Sequence, residues 1–290
     1  MASLQSKAVA LFIKLTRSQN WKTAAAVRAS IAHRDGHTPP LSIRQSSRLA
    51  EHQHGSHPYF TIAGSRPDWV IFYFHGGGYI HEIDARHWTF CYRLASETGA
   101  TVVVPIYPLA PETNYLGILK WCDEVVDAVL KPGQRYSLTG DSAGGGLSLG
   151  LAMMRRDQGK ALPHHLGLIS PALDCAMENP EAAQMDDPWL TVEGIKEAGR
   201  LYAGSDVLDP YASPIRGDLS GLVGISTMVG TRDVLYPDGR KLGMRAEADC
   251  AGSHTYVAED MIHVWPLLPI PEAKTARVWL VARTIEALSV

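Results

Sequence analysis

The sequence predicts an α/β fold: a mostly parallel sheet covered on both faces by helices. Two observations predict it. Apolar runs such as Trp69-Val70-Ile71-Phe72-Tyr73-Phe74 and Thr101-Val102-Val103-Val104-Pro105-Ile106 are nearly unbroken rather than alternating, as in strands with no face toward solvent. Stretches of helical length separate the runs, Ala85 to Thr98 among them, and strand–helix alternation signals parallel pairing. The 290 residues fit one large domain with a small inserted or terminal subdomain.

In order along the chain, Leu4, Ala8, Leu11, Phe12 and Leu15 fall at helical spacing and predict an apolar stripe, with Lys7, Lys14 and Arg17 off it. Such a helix packs on the core or serves as a lid. A second helix is expected from Lys22 to Ala32, and Pro39-Pro40 closes this region. Residues 41–63 read as two short antiparallel strands. After the two long apolar runs, a helix is expected from about Gly117 to Leu130, then a short strand ending at Thr139. Leu166 to Ser170 and Ile225 to Val229 are further buried runs, Thr255 to Ala258 is the last strand, and Ala273 to Ala287 the closing helix. The segment from about 175 to 209 interrupts the alternation. It carries Met185, Trp189, Leu190, Ile195 and Tyr202 among acidic residues, the composition of an inserted helical subdomain. The expected organisation is a helical cap segment at 1–40 and a catalytic domain at 41–290 with a cap insertion at about 175–209.

Composition narrows the function classes. Apolar residues make up 46% and charged residues 20% of the chain, ordinary for a soluble globular protein. A net charge of −3 and a pI near 6.4 give no electrostatic case for nucleic acid or an anionic membrane. Cys91, Cys122, Cys175 and Cys250 are scattered, so neither a metal site nor a redox pair is indicated, and a cytoplasmic location is expected. Lys14 ends the N-terminal apolar run too early for a secretory core. No stretch approaches the roughly 20 apolar residues of a membrane span.

The chemistry is carried by Gly140-Asp141-Ser142-Ala143-Gly144, which follows the strand ending at Thr139 and runs into a helical stretch. A sharp strand-to-helix turn lifts a serine hydroxyl clear of the sheet, and it tolerates only small neighbours two positions either side. Attack by such a serine on a carbonyl creates an oxyanion, which needs backbone N–H donors already aimed at it. His75-Gly76-Gly77-Gly78 directly follows the Trp69–Phe74 run. The expected donors are the amides of Gly76, Gly77 and Ala143, with His75 and Asp141 as hydrogen-bonding supports. A serine nucleophile also needs a base, and the base an orienting carboxylate. Downstream of Ser142 the histidines are His164, His165, His254 and His263. Only His263 follows the last strand, where the C-terminal ends of a parallel sheet collect chemistry. Asp233 leaves the strand ending at Val229 and is preferred as the acid over Asp238. Trp88, Trp189, Tyr202 and Trp265 are candidates for lining an apolar pocket. Metal and cofactor are not called for.

These residues are similar, in type and order, to the hormone-sensitive-lipase-like branch of the α/β-hydrolases, the bacterial family IV esterases. The resemblance covers roughly residues 40 to 290. It rests on His75-Gly76-Gly77-Gly78, Tyr107-Pro108-Leu109-Ala110-Pro111-Glu112, Gly140-Asp141-Ser142-Ala143-Gly144-Gly145, Asp209-Pro210 with Ser213-Pro214, Gly230-Thr231-Arg232-Asp233 and Met261-Ile262-His263. It implies an eight-stranded core and a cap made from the N-terminal helices and the segment near 180–207. It further implies cofactor-free hydrolysis of short- to medium-chain carboxylic esters by Ser142, His263 and Asp233, and pairing into a homodimer through the last strand and last helix. Val264 stands where the family often has glycine, and Pro108 where it often has arginine. Two other readings use the same fold: an arylformamidase-type amide hydrolase, and a silent ligand-binding member. Retention of His263 argues against the second.

Overall fold

The computed structural model describes residues 2–34 and 36–290. Its strands are β1 (Leu49–His54), β2 (His57–Ile62), β3 (Arg66–Phe74), β4 (Ala100–Pro105), β5 (Arg135–Asp141), β6 (His165–Ile169), β7 (Ile225–Gly230) and β8 (His254–Ala258). They form one eight-stranded sheet in the order β1-β2-β4-β3-β5-β6-β7-β8. β1 and β2 pair antiparallel, as does β2 with β4, and every later pairing is parallel. From β4 through β7 nearly every residue except at the strand entries is buried, which is why these strands read as unbroken apolar runs. β1 is the polar edge, with no fully buried residue.

The helices are α1 (Leu4–Thr16), α2 (Ala24–Ile31), α3 (Leu41–Arg44), α4 (Ala85–Thr98), α5 (Tyr115–Val129), α6 (Ala143–Asp157), α7 (Val192–Ala203), α8 (Tyr236–Asp249) and α9 (Pro271–Ser289). Their ends follow local rules. Asp84 caps α4 by accepting the Arg86 N–H, and Gly99 ends that helix at φ +76°. Asn114 caps α5 through the Gly117 N–H. One core cluster includes buried residues of α5, α6 and α8, and the other those of α4 and α9, so the sheet is covered on both faces.

The chain order sets the place of the site. After β3 the chain goes to β4 on one side, then crosses to β5 on the other. At such a reversal the loops leaving β3 and β5 diverge and open a crevice at the strand C-termini. Phe74 pairs with Gly140, so the loop after β3 lies directly beside the turn after β5. Gly230 pairs with Ala258, which brings the loops after β7 and β8 together in the same way.

Two segments distant in sequence pack together over this end. Thr191, which caps α7, donates its hydroxyl to the Trp21 carbonyl. Gly194 lies so close to the Trp21 carbonyl that a Cβ there would collide with it. Arg28 of α2 pairs with Glu197 of α7. The stripe on α1 departs from its simpler expectation: the buried residues of α1 are Ser6, Ala10 and Ile13, while Leu4, Leu11, Phe12 and Leu15 face solvent. Ser3 and Ser6 both bond the Glu272 carboxylate of α9, so polar contacts near its start help fix which face of α1 turns inward.

Candidate active site

Ser142 stands between β5 and α6 with φ +52° and ψ −120°. That region costs an L-residue about 1–3 kcal/mol and persists only where the surroundings enforce it. Here the enforcement is visible. The Ser142 N–H donates to the Ile169 carbonyl, and its own carbonyl accepts from Gly145, Gly146 and Ala172. A Cβ at Gly140 would run into the Gly144 backbone and the Phe74 carbonyl, and one at Gly144 into the Phe74 carbonyl. The two glycines are therefore required by the contact between the elbow and the end of β3.

Asp141 organises the neighbouring loop. Its Oδ1 accepts the Gly76 N–H at 3.0 Å and the Tyr73 hydroxyl at 2.7 Å, and its Oδ2 lies 3.3 Å from His87 Nε2. The Gly76 amide, expected as an oxyanion donor, is thus already committed to a buried carboxylate. Gly77 and Gly78, at φ +120° and +63°, line the cleft with Ser142 instead. On its other side His87 meets Asp84, with Nδ1 3.1 Å from the carboxylate. Burial alone would lower the His87 pKa, but Asp141 and Asp84 outweigh it and raise it to about 9. His87 is thus held between two carboxylates beneath the glycine loop, and its Nδ1 also accepts the Asp84 N–H at 3.0 Å. His75 is the opposite case. Burial, aided by the charge on His87, lowers its pKa to about 4, so it is neutral, stacked on Tyr107 at 4.3 Å between centroids.

Asp233 and His263 come from the loops after β7 and β8. His263 Nδ1 lies 2.9 Å from Asp233 Oδ2, and Asp233 Oδ1 accepts the Leu235 N–H at 2.9 Å. Burial disfavours the imidazolium, but the charge and hydrogen bond of Asp233, then Asp187 and Asp141, raise the His263 pKa above its ordinary 6.5. His263 and Ser142 line one cleft of about 200 Å³. Asp238, on the first turn of α8, is held elsewhere, accepting from the Asn179 side-chain amide. Val264 sits at φ +46°, a strained position for a β-branched residue, and its N–H donates to Ser170 Oγ.

Of the four aromatic pocket candidates, only Trp189 lines the cleft, edge-on to His263 at 5.8 Å. Trp88 packs on Phe60, Trp265 on Tyr256, and Tyr202 stacks on Tyr79 at 3.6 Å. All three are buried to within 1% of their surface; they are core residues, drawn there by their area rather than by a ligand.

Asp187 went unread in the sequence. Its Oδ1 accepts the N–H groups of Trp189 and Leu190, and its Oδ2 that of Val234, next to Asp233. It ties the segment that carries Trp189 to the loop that carries the acid. Burial, then the charge on Asp233, raises its pKa to about 6. Asp187-Pro188 directly before an apolar pair was the available signal, but nothing local says which distant loop its second oxygen meets.

A strained serine, a carboxylate-backed histidine and a glycine loop thus lie together at the C-terminal edge of a mostly parallel sheet. Residues 71–267 match a family model described as alpha/beta hydrolase fold. LipR of Mycobacterium tuberculosis is 34% identical over 193 residues, 65% of this chain and 61% of that protein, so the chain spans less than two thirds of its length. An acetyl-hydrolase of Streptomyces hygroscopicus is 32% identical over 230 residues, 72% of this chain and 76% of that one. The solved structure of an esterase from the bacterial hormone-sensitive lipase family superposes with a TM-score of 0.79 at 27% identity, covering 99% of both chains. The chain belongs to the α/β-hydrolase family and to its hormone-sensitive-lipase-like branch.

Proposed function

We propose that this protein is a serine carboxylesterase for esters with short acyl groups, working through an acyl-enzyme on Ser142. By family and by relatives it is an ester hydrolase. The observation that carries the residue assignment is the His263–Asp233 pair sharing a cleft with the strained Ser142. In this reading His263 takes the proton from Ser142 as Oγ attacks the ester carbonyl. The amides of Gly77, Gly78 and Ala143 receive the oxyanion, each mattering by roughly 10²–10³ in turnover. His263 then protonates the leaving alcohol, and water cleaves the acyl-enzyme by the same route. Asp233 holds the imidazole and stabilises its charged form.

The two spaces beside Ser142 differ in size. The leaving alcohol must lie toward His263, hence in the 200 Å³ cleft. On the side without His263, a space of about 20 Å³ is lined by Gly78, Tyr79, Ala172, Cys175, Ile195 and Gly199. It has room for little more than one water-sized group, which favours acetyl at the short end of the short-to-medium range. Residues 1–40 and about 175–209 act as the cap over a catalytic domain at 41–290. Four free, buried cysteines agree with a cytoplasmic location, and β8 at the sheet edge offers a homodimer surface with α9. Among the described residues no helix is long and apolar enough to cross a membrane.

A fluorophosphonate probe followed by mass mapping tests the nucleophile: one adduct is expected, on Ser142. An adduct that persists in Ser142→Ala would sink the assignment. A series of p-nitrophenyl esters tests the acyl space, with acetate expected fastest; a preference for hexanoate would refute it.

A further inference from the structure

We propose that α1 docks the protein onto an anionic lipid surface through its outward apolar stripe. Leu4, Leu11, Phe12 and Leu15 are 85%, 58%, 60% and 69% exposed. They lie at helical spacing on the side of α1 away from its buried Ser6, Ala10 and Ile13. The helix is fastened to the core near its start, through Ser3 and Ser6 to Glu272 and through Gln5 to the Pro269 carbonyl. The stripe is therefore presented by a fixed helix. Four large apolar side chains on one short helix form a contiguous patch, unlike the scattered singles normal on a surface.

The charge around the stripe selects the occupant. Residues 1–34 contain Lys7, Lys14, Arg17, Lys22, Arg28 and Arg34 and no aspartate or glutamate, in a chain whose net charge is −3. The acidic balance of the chain lies entirely elsewhere. Arg28 and Arg34 are paired with Glu197 and Glu112, whereas Lys7, Lys14 and Lys22 are exposed. An apolar stripe bordered by lysines matches an anionic bilayer surface, with the stripe in the acyl boundary and the lysines among headgroups. A second copy of this chain fits less well, because two-fold pairing would set one cationic helix against another. The place is also apt. Arg17, Asn20 and Trp21, which follow α1, line the cleft with Ser142, so docking brings the cleft mouth to the interface where amphiphilic esters collect. That last point rests on the esterase reading; lipid binding itself does not.

The test is co-sedimentation of the full-length protein with vesicles of phosphatidylcholine alone and with about one-third phosphatidylglycerol, at low and high salt. Binding to the anionic vesicles, weakened by salt, is expected. Leu11→Ser with Phe12→Ser should lower it roughly tenfold or more. Lys7→Gln with Lys14→Gln should lower it by a similar factor on anionic vesicles. All four side chains are exposed, and unchanged circular dichroism verifies the fold. No binding, equal binding to both vesicle types, or binding untouched by either variant overturns the proposal. So does a lipid-free dimer that the Leu11→Ser, Phe12→Ser variant dissociates, which would assign the stripe to a second copy. Turnover of a soluble ester, measured alongside, reports on the esterase reading separately.

Discussion

The two walls of the cleft are built on different principles. The sheet-side wall consists of turns that leave β3, β5, β7 and β8, each braced against the turns and strands beside it. Ser142 is strained because Phe74, Gly140 and Gly144 leave its turn no other shape. The cap-side wall comes from residues 17–34 and 187–195, held by contacts across well over a hundred residues of chain, such as Thr191 to Trp21 and Arg28 to Glu197. In the proposed reading, chemistry sits on the first wall and the shape of the pocket on the second. The contrast matches the general demand that reacting groups be pre-organised on rigid elements, while recognition surfaces vary on loops and insertions.

Substitutions on the two walls should separate accordingly. Ser142→Ala is expected to lower ester turnover by roughly 10⁶, judging from a comparable triad; a few-fold loss in a kinetic assay would place the nucleophile elsewhere. Asp233→Asn should cost on the order of 10⁴, since the imidazole loses the partner that sets its tautomer. Trp265→Ala should cost about 3–5 kcal/mol of stability in denaturant unfolding with little change in KM beyond that, because the ring is buried in the core. Trp189→Ala, on the cap side, should instead raise KM several-fold, within roughly tenfold, and leave kcat less affected. Equal behaviour of the two tryptophans would erase the distinction between the core and the cap-side wall.

The smallest effect expected is a shift in pH dependence. In the proposed mechanism His263 must be neutral to accept the proton, and Asp233 and Asp187 raise its pKa above 6.5. Activity should therefore fall as pH drops through a value higher than an ordinary imidazole's. Asp141 is a further negative charge acting on His263. Asp187→Asn removes one negative charge, which lowers the His263 pKa, so the acid limb of kcat/KM should move to lower pH by up to about one unit. An unmoved limb would mean that Asp187 serves only as a hydrogen-bond acceptor for its three backbone amides.

The sequence by itself determined the parallel core, the order of its strands along the chain and the candidate serine, acid and base. Each is written locally: an apolar run gives a strand, a small-residue turn gives the elbow, and position after a strand gives the edge of the sheet. It left open which amides of the glycine loop remain for an oxyanion, because only the pairing of β3 with β5 brings Asp141 against the Gly76 N–H. It could not say which large aromatics reach the cleft, since burial in the core and burial at a site draw on the same apolar area. Nor could it settle the outward turn of Leu4, Leu11, Phe12 and Leu15. Helical periodicity marks two faces, and which face meets the core depends on what the rest of the chain presents, here the Glu272 carboxylate of α9.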